Sequence, residues 1–222
     1  MIHSSTFEFL TNLAENNYRE WFHAHRTEYE AAKQNVLDVA TQLLAEINTF
    51  DKIGVFDVRK CMFRIARDTR FSHDKSPYKT NFGVILTPDG TTRSELAGYY
   101  MHIEPGNSFL SCGLYMSMPD VLKAVRTAID EDYEVFQKII SKKEFKQTFG
   151  DLSRDDDALS RVPQGFDKDS PAADYLKLKH VYVMVSLKNK EAMASTFLQK
   201  ALGYCRLMKP LGDFLNEAVK NR

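Results

Sequence analysis

Residues 97–116, AGYYMHIEPGNSFLSCGLYM, decide the fold class. Two runs rich in aromatic and branched side chains, 97–104 and 108–116, flank Pro105-Gly106-Asn107. Proline and glycine supply the backbone angles of a tight turn, so the two runs read as a β-hairpin. A turn this short joins antiparallel strands only, because a parallel crossover needs a dozen residues or more. Side chains alternate along a strand. Tyr99, Met101 and Ile103 therefore share one face, and Tyr100, His102 and Glu104 share the other.

Working outward, residues 82–87 form another strand, closed by the turn signal Pro88-Asp89-Gly90. The run 179–187 is rich in valine and reads as a further strand, and residues 55–65 are a weaker one. Helices surround these strands. Ser5 and Glu8 have capping-box spacing ahead of Phe7, Leu10 and Leu13, and Asn17 with Glu20 caps a second helix. Trp21, Phe22, His25, Tyr29, Ala32, Val36, Val39, Leu43 and Ile47 recur every three to four residues, as one long amphipathic helix. Trp21, the sole tryptophan, is expected to anchor it to the core.

A third helix starts near Pro119 and continues through Leu122, Val125, Ile129, Phe136 and Ile139, with an irregularity at Glu131-Asp132. Residues 151–170 carry charges, Pro163 and Gly165 and read as loop. A last helix over 190–208 is expected to break at Pro210 before a short closing helix with Leu211, Phe214, Leu215 and Ala218. The expected fold is α+β: a mostly antiparallel sheet with long N-terminal and C-terminal helices packed on it, in one domain over 1–222.

Composition narrows the function classes. Lys+Arg and Asp+Glu are each 30 in 222 residues, so the chain is neither a globally basic nucleic-acid binder nor an acidic tail. The three cysteines, Cys61, Cys112 and Cys205, are far apart, which argues against a disulfide framework or a cysteine-rich zinc site. No apolar run suits a membrane span, and the N-terminus lacks the pattern of a signal peptide. The expectation is a cytoplasmic protein with no membrane partner.

Residues 64–81, RIARDTRFSHDKSPYKTN, hold five basic and two acidic side chains, a local charge of +3 in a neutral chain. Pro77 biases Ser76 away from helix, so the second half is expected to be extended loop. Guanidinium forks bind phosphate or carboxylate oxygens in bidentate fashion, and lysine adds a point charge. Arg64, Arg67, Arg70, Lys75 and Lys79 are thus candidates to hold an anion, with Tyr78 and Asn81 as neutral donors. Asp68 would orient an arginine. The competing reading makes the same arginines an internal ion-pair network with Asp68 and Asp74.

The segment has the form R-x-x-R-D-x-R-F-x-x-x-K-x-x-Y-x-x-N, which resembles the signature of a bacterial family known as domain of unknown function 2461. Further similarities lie at Asn16-Asn17-Tyr18-Arg19-Glu20-Trp21-Phe22, Tyr100-Met101-His102-Ile103, Gly113-Leu114-Tyr115, Pro119 to Ile129 with Arg126, Arg161-Val162-Pro163-Gln164-Gly165-Phe166 and Pro210-Leu211-Gly212-Asp213-Phe214-Leu215. The resemblance spans nearly the whole chain and marks residues 64–81 as special. It implies no activity.

Among catalytic candidates, His102 with Tyr100 and Glu104 could form an acid–base cluster, and Asp68 is a second suspect. A histidine held by a neighbouring carboxylate for structural reasons is at least as common. His23 and His25 point to different helix faces, and His3, His73 and His180 have no ligand spacing around them, so no metal and no cofactor is expected. Gly83, Gly90, Gly98 and Gly106 make no phosphate-binding glycine motif, and Ser72, Ser76 and Ser111 no nucleophile elbow. Asp155-Asp156-Asp157 reads as a solvated acidic run.

Three functions follow from these residues. The first is a domain that binds, and in its fuller form turns over, a small phosphorylated or carboxylated ligand. The second is a nucleic-acid module using the cluster with Phe71 and Tyr78. The third is a structural or partner-binding domain.

Overall fold

The computed structural model describes residues 1–70, 72–154 and 158–222. Phe71 and Asp155-Asp156-Asp157 lie outside the described residues, and so do the roles expected of them. Four strands form one antiparallel sheet in chain order: β1 (Phe82–Leu86), β2 (Gly98–Ile103), β3 (Ser108–Leu114) and β4 (Val181–Leu187). The 105–107 turn closes with the Asn107 N–H donating to Glu104 C=O at 3.1 Å, and Gly106 takes the left-handed φ of +75° that the turn needs.

The alternation of β2 sorts its residues as expected. Tyr99, Met101 and Ile103 are buried, while Tyr100 and His102 are half-buried on the opposite face. Register extends both faces across the sheet. His102 stands between Gly83 and Phe109, and Tyr100 between Ile85 and Ser111. On β4, Met184 and Ser186 continue these two rows.

The helices are α1 (Ser4–Glu15), α2 (Arg19–Ala24), α3 (Arg26–Ile47), α4 (Pro119–Glu131), α5 (Tyr133–Ile140), α6 (Lys143–Phe149), α7 (Ala173–Leu176), α8 (Asn189–Ala192) and α9 (Phe197–Lys220). The sheet's apolar face receives α9 against β3 and α3 against β1, while α1 packs on α3, and α4 and α5 pack on α9. Leu10, Val36, Leu43, Ile103, Val121, Val183, Met208 and Leu215 belong to one buried cluster that joins these layers. The architecture is α+β with long helices toward both termini.

Several local expectations give way to tertiary contacts. Helix α1 starts at Ser4 with His3 at its N-cap and no side-chain cap, so the Ser5–Glu8 capping box does not form. Buried Asn35 on α3 takes over, its Oδ1 accepting from the His3 N–H and the Thr6 hydroxyl, each at 2.9 Å. The N-cap of α2 is Tyr18, not Asn17. The single long helix is two, because His25 leaves helical geometry at φ −106° and ψ 26°. The break is held by the His25 ring, whose Nδ1 lies 2.8 Å from Trp21 C=O and whose plane stacks on the indole at 4.0 Å. Trp21 itself is half-buried against Phe9.

Residues 55–65 form no strand. Asp57 caps a 3-10 turn at Val58–Cys61 through the Arg59 N–H, and Val55 is 95% exposed. Only Met62, bridging to Val84, behaves as β structure there. At the other end, the helix expected over 190–208 is α8 followed by α9, and α9 runs straight through Pro210. Proline removes one backbone donor. Yet Cys205, Met208, Leu211, Gly212 and Leu215 are all buried along one stripe spanning it, so packing carries the helix across. Gly212 sits so close to β3 that a Cβ there would meet Cys112 Sγ at 3.3 Å. The irregularity at Glu131-Asp132 is real and separates α4 from α5. No described residue of 151–170 is helical, and α7 follows directly after.

Candidate functional site

The segment 62–81 runs beside β1 as a loop folded back on itself. The Phe63 N–H donates to Gly83 C=O at 2.9 Å, docking its start on the β1 edge. The Arg67 N–H donates to Pro77 C=O and the Lys79 N–H to Ile65 C=O, so residues 65–67 and 77–79 pair and the described residues between them form the tip. A clamp from the N-terminal motif fixes the returning arm: Asn17 Nδ2 donates to Tyr78 C=O at 3.0 Å and its Oδ1 accepts from the Tyr78 N–H at 3.1 Å. The Tyr78 ring stacks on buried Phe22, centroids 3.9 Å apart. Asn17 is therefore spent on this loop, which is why it does not cap α2. A groove of about 500 Å³ lies between the two segments, lined by Tyr18, Arg19, Thr69, Lys75 and Pro77 among others.

The five cations divide into two groups. At the tip, Arg67 pairs with Asp74, and Arg70 with Asp68 at 2.7 Å. The Arg70 side chain is 77% exposed, so its pair lies at the surface, whereas the Arg67 side chain is only 26% exposed and its pair is partly buried. The hydrogen bond from Arg70 holds the Asp68 carboxyl below its ordinary range, and bonds from Ser76 and Arg67 do the same to Asp74. Lys75 donates to Thr69 C=O at 3.0 Å, inside the tip. Arg64 and Lys79 differ. Among the described residues neither has a carboxylate partner within ion-pair distance. Arg64 is exposed, whereas Lys79 is half-buried with its Nζ over the Phe63 ring, 5.5 Å from the centroid. Burial, and then the Arg64 charge, push the Lys79 ammonium below its usual pKa. Asn81 is half-buried where the segment enters β1, and Tyr78 is occupied by its stack.

Next to Lys79 lies a hydrogen-bonded chain on the outer sheet face. Tyr100 Oη is 3.0 Å from His102 Nδ1, and His102 Nε2 is 3.2 Å from Glu104 Oε2. Glu104 is further held by the Thr80 hydroxyl at 2.6 Å and Asn107 Nδ2 at 2.9 Å. Burial depresses the His102 pKa against the opposing pull of Glu104, and the nearby Lys79 charge adds to the depression. Burial works to raise the Glu104 pKa, but the bonds from Thr80, Asn107 and His102 together hold it low. The pair is thus a neutral imidazole donating from Nε2 to a carboxylate, which leaves Nδ1 to accept from the phenol. Burial, and then the Glu104 charge, raise Tyr100 to about 12, so it stays a proton donor.

The surroundings are aromatic. His102 stacks on Phe109 at 4.5 Å and 11°, and Phe63 meets Tyr100 edge-on at 6.1 Å. Gly83 leaves room for the phenol: a Cβ there would lie 2.5 Å from Tyr100 Oη. The Tyr100–His102–Glu104 alternation and the cations were visible in the sequence. Phe63, Thr80, Gly83 and Phe109 were not, because only strand pairing and the docking of the loop bring them in. Asp68 is not part of this arrangement; it is engaged with Arg70 at the loop tip.

Elsewhere, Cys61, Cys112 and Cys205 are buried free thiols. Burial raises Cys61 to about 11 and Cys205 to about 12, so neither is a ready nucleophile. Among the described residues no group of three His, Cys, Asp or Glu side chains is placed to hold a metal ion. No helix among them is long and apolar enough to cross a membrane.

No curated protein and no solved structure matches the chain. One family model does, described as a conserved hypothetical protein (DUF2461), over residues 5–214. That range covers the loop 62–81, its Asn17 clamp, the whole sheet and most of α9, so the chain belongs to the DUF2461 family.

Proposed function

We propose that this protein binds a small phosphorylated or carboxylated molecule on the outer sheet face, with Arg64 and Lys79 holding the anion. The observation that carries the reading is that Lys79, which lacks a carboxylate partner among the described residues and feels the Arg64 charge, stands beside the half-buried Tyr100–His102–Glu104 chain. A half-buried lysine whose charge is unmatched is costly to keep and gains most from an incoming anion. Arg67 and Arg70, already satisfied by Asp74 and Asp68, have less to gain.

The same geometry supports acid–base work on the bound molecule. A ligand oxygen that loses its proton passes it to Tyr100 Oη, while the phenol's own proton moves to Nδ1 of neutral His102. Glu104 stabilises the imidazolium that results. Phe63 and Phe109 give one flank of the site an apolar wall, which strengthens these charge interactions by excluding water. A second reading has one observation in its favour. Rings beside cations on an antiparallel sheet also suit stacked bases of a single strand.

The test is thermal stability against phosphorylated sugars, nucleotides, di- and tricarboxylates and short oligonucleotides. A ligand that binds only the native state raises the melting temperature. The proposal expects a small-anion class to stabilise the wild type, Arg64→Gln and Lys79→Gln to lose the shift, and Arg70→Gln to keep it. No shift with any compound, or a shift that survives both substitutions, would reject it. Stabilisation by oligonucleotides alone would favour the second reading.

A further inference from the structure

The sheet has two edges, and they are protected differently. The β1 edge is covered, since Met62 bridges to Val84 and Phe63 bonds Gly83. The β4 edge is covered over its first part only, where the Ser153 N–H donates to Tyr182 C=O at 2.9 Å. That bond also identifies which residues of β4 face outward. In an antiparallel ladder the backbone groups of successive residues alternate in direction. Tyr182 faces away from β3, so Met184 and Ser186 do as well, and Val181, Val183, Val185 and Leu187 bond to β3. Among the described residues, no other segment hydrogen-bonds to the backbone of Met184 or Ser186.

This open window has none of the usual protection. Strand β4 reads VYVMVSL, with no charge, no proline and no glycine over seven residues. Exposed edges normally carry such features because an unpaired row of N–H and C=O groups templates pairing with another chain. Here Met184 is 38% exposed, and Val185, which points to the core face, is only half-buried because the sheet ends there.

We infer that residues 183–187 of β4 pair antiparallel with the same residues of a second copy of this chain, giving a two-fold dimer with one continuous sheet. The window is self-complementary about Val185. Rotating it end for end sets Met184 of one copy opposite Ser186 of the other, and both have outward backbone groups. Exchange of N–H···O bonds in those two symmetric pairs gives about four hydrogen bonds. Val185 meets its own counterpart on the axis, in the closer non-hydrogen-bonded spacing, which buries the half-exposed valine of each copy. Met184 lies diagonal to its counterpart, within reach of a long side chain. Because the window is uncharged, no like charges meet at the axis. A second copy fits better than an unrelated extended peptide because the open length is centred on one residue and satisfies itself under a two-fold operation.

The experiment is sedimentation equilibrium of the full chain, joined to a cysteine cross-link at the axis. The inference expects twice the 25.5 kDa chain mass at high concentration. Val185→Cys should form a covalent dimer under mild oxidation, because paired Cα atoms there fall within disulfide range. Wild type should not cross-link, since its three cysteines are buried. Ser186→Pro, which deletes an outward N–H, and Met184→Lys, which sets charge beside the axis, should each return the monomer mass with the native circular dichroism spectrum retained. A monomer at all concentrations would overturn the inference. So would a dimer that persists in both substitutions while Val185→Cys fails to cross-link. An extended peptide that binds β4 while the protein stays monomeric would also overturn it, and would assign the edge to another partner.

Discussion

Asn17→Ala should destabilise the protein more than any other substitution of an exposed or half-buried polar residue near the N-terminus. The Asn17 amide makes two hydrogen bonds to the Tyr78 backbone, one through Nδ2 at 3.0 Å and one through Oδ1 at 3.1 Å. A typical intramolecular hydrogen bond contributes about 1 kcal/mol net, and leaving partly buried backbone groups unpaired adds to the loss. The expected cost is therefore about 2 kcal/mol. For a domain of this size that is a fall of ~4–8 °C in melting temperature. Asn17→Asp keeps the acceptor for the Tyr78 N–H and loses the donor, so it should fall about halfway. Asn16→Ala is the control, because its side chain bonds only to Asn12 C=O at an exposed helix end. Urea denaturation followed by tryptophan fluorescence reads all three, with Trp21 close to the clamp in sequence. If Asn17→Ala matched the Asn16→Ala control, the loop would not depend on this clamp.

Pro210→Ala should stabilise the fold: it restores a helix donor in α9 and removes a residue about 3 kcal/mol worse than alanine in helix interiors, offset by about 1 kcal/mol of unfolded-state entropy. A lower melting temperature would show that the proline is needed for the path of α9. Acid should weaken the protein in two steps. The folded-state pKa of His102 lies below its ordinary 6.5, so its contribution is fully present above pH 6.5 and is lost as pH falls through the lowered value. Glu104 behaves likewise below 4.5, and His102→Asn should remove the upper step alone in urea titrations at several pH values. Gly83→Ala should displace the Tyr100 phenol and break its bond to His102, read as a changed His102 pKa by NMR; an unchanged value would mean the phenol does not depend on that space. Arg67→Gln should lower the melting temperature only slightly, because its partner Asp74 is 58% exposed although Arg67 itself is half-buried, and a large fall would favour the architectural reading of the motif.

What the sequence made legible follows from how local each signal is. The hairpin around Pro105-Gly106-Asn107 depends on neighbours in the chain, and its faces came out as the alternation requires. The α4–α5 break at Asp132 is equally local. Caps failed where a distant residue offered a better bond. Asn35 replaced the Ser5–Glu8 box, and Tyr78 drew Asn17 away from α2. Pro210 misled because a proline rule is local, while burial of Met208, Leu211 and Leu215 is set by the sheet. The candidate site was half legible. Strand alternation alone places Tyr100, His102 and Glu104 together. That Lys79 lies near that chain depends on the loop's return along β1, and charge spacing within residues 64–81 does not encode it. Five cations looked equivalent in the sequence, but at the tip Asp74 and Asp68 satisfy Arg67 and Arg70 and the Thr69 carbonyl holds Lys75, which leaves Arg64 and Lys79.

The central claim is that an anion sits beside His102, held by Arg64 and Lys79. Its most direct measurement is the His102 ring pKa, followed by NMR while inorganic phosphate replaces chloride at constant ionic strength. A bound anion favours the imidazolium, so the account predicts a rise in the His102 pKa that saturates with phosphate and disappears in Lys79→Gln. A His102 pKa indifferent to phosphate, or a rise that persists unchanged in Lys79→Gln, would contradict the claim.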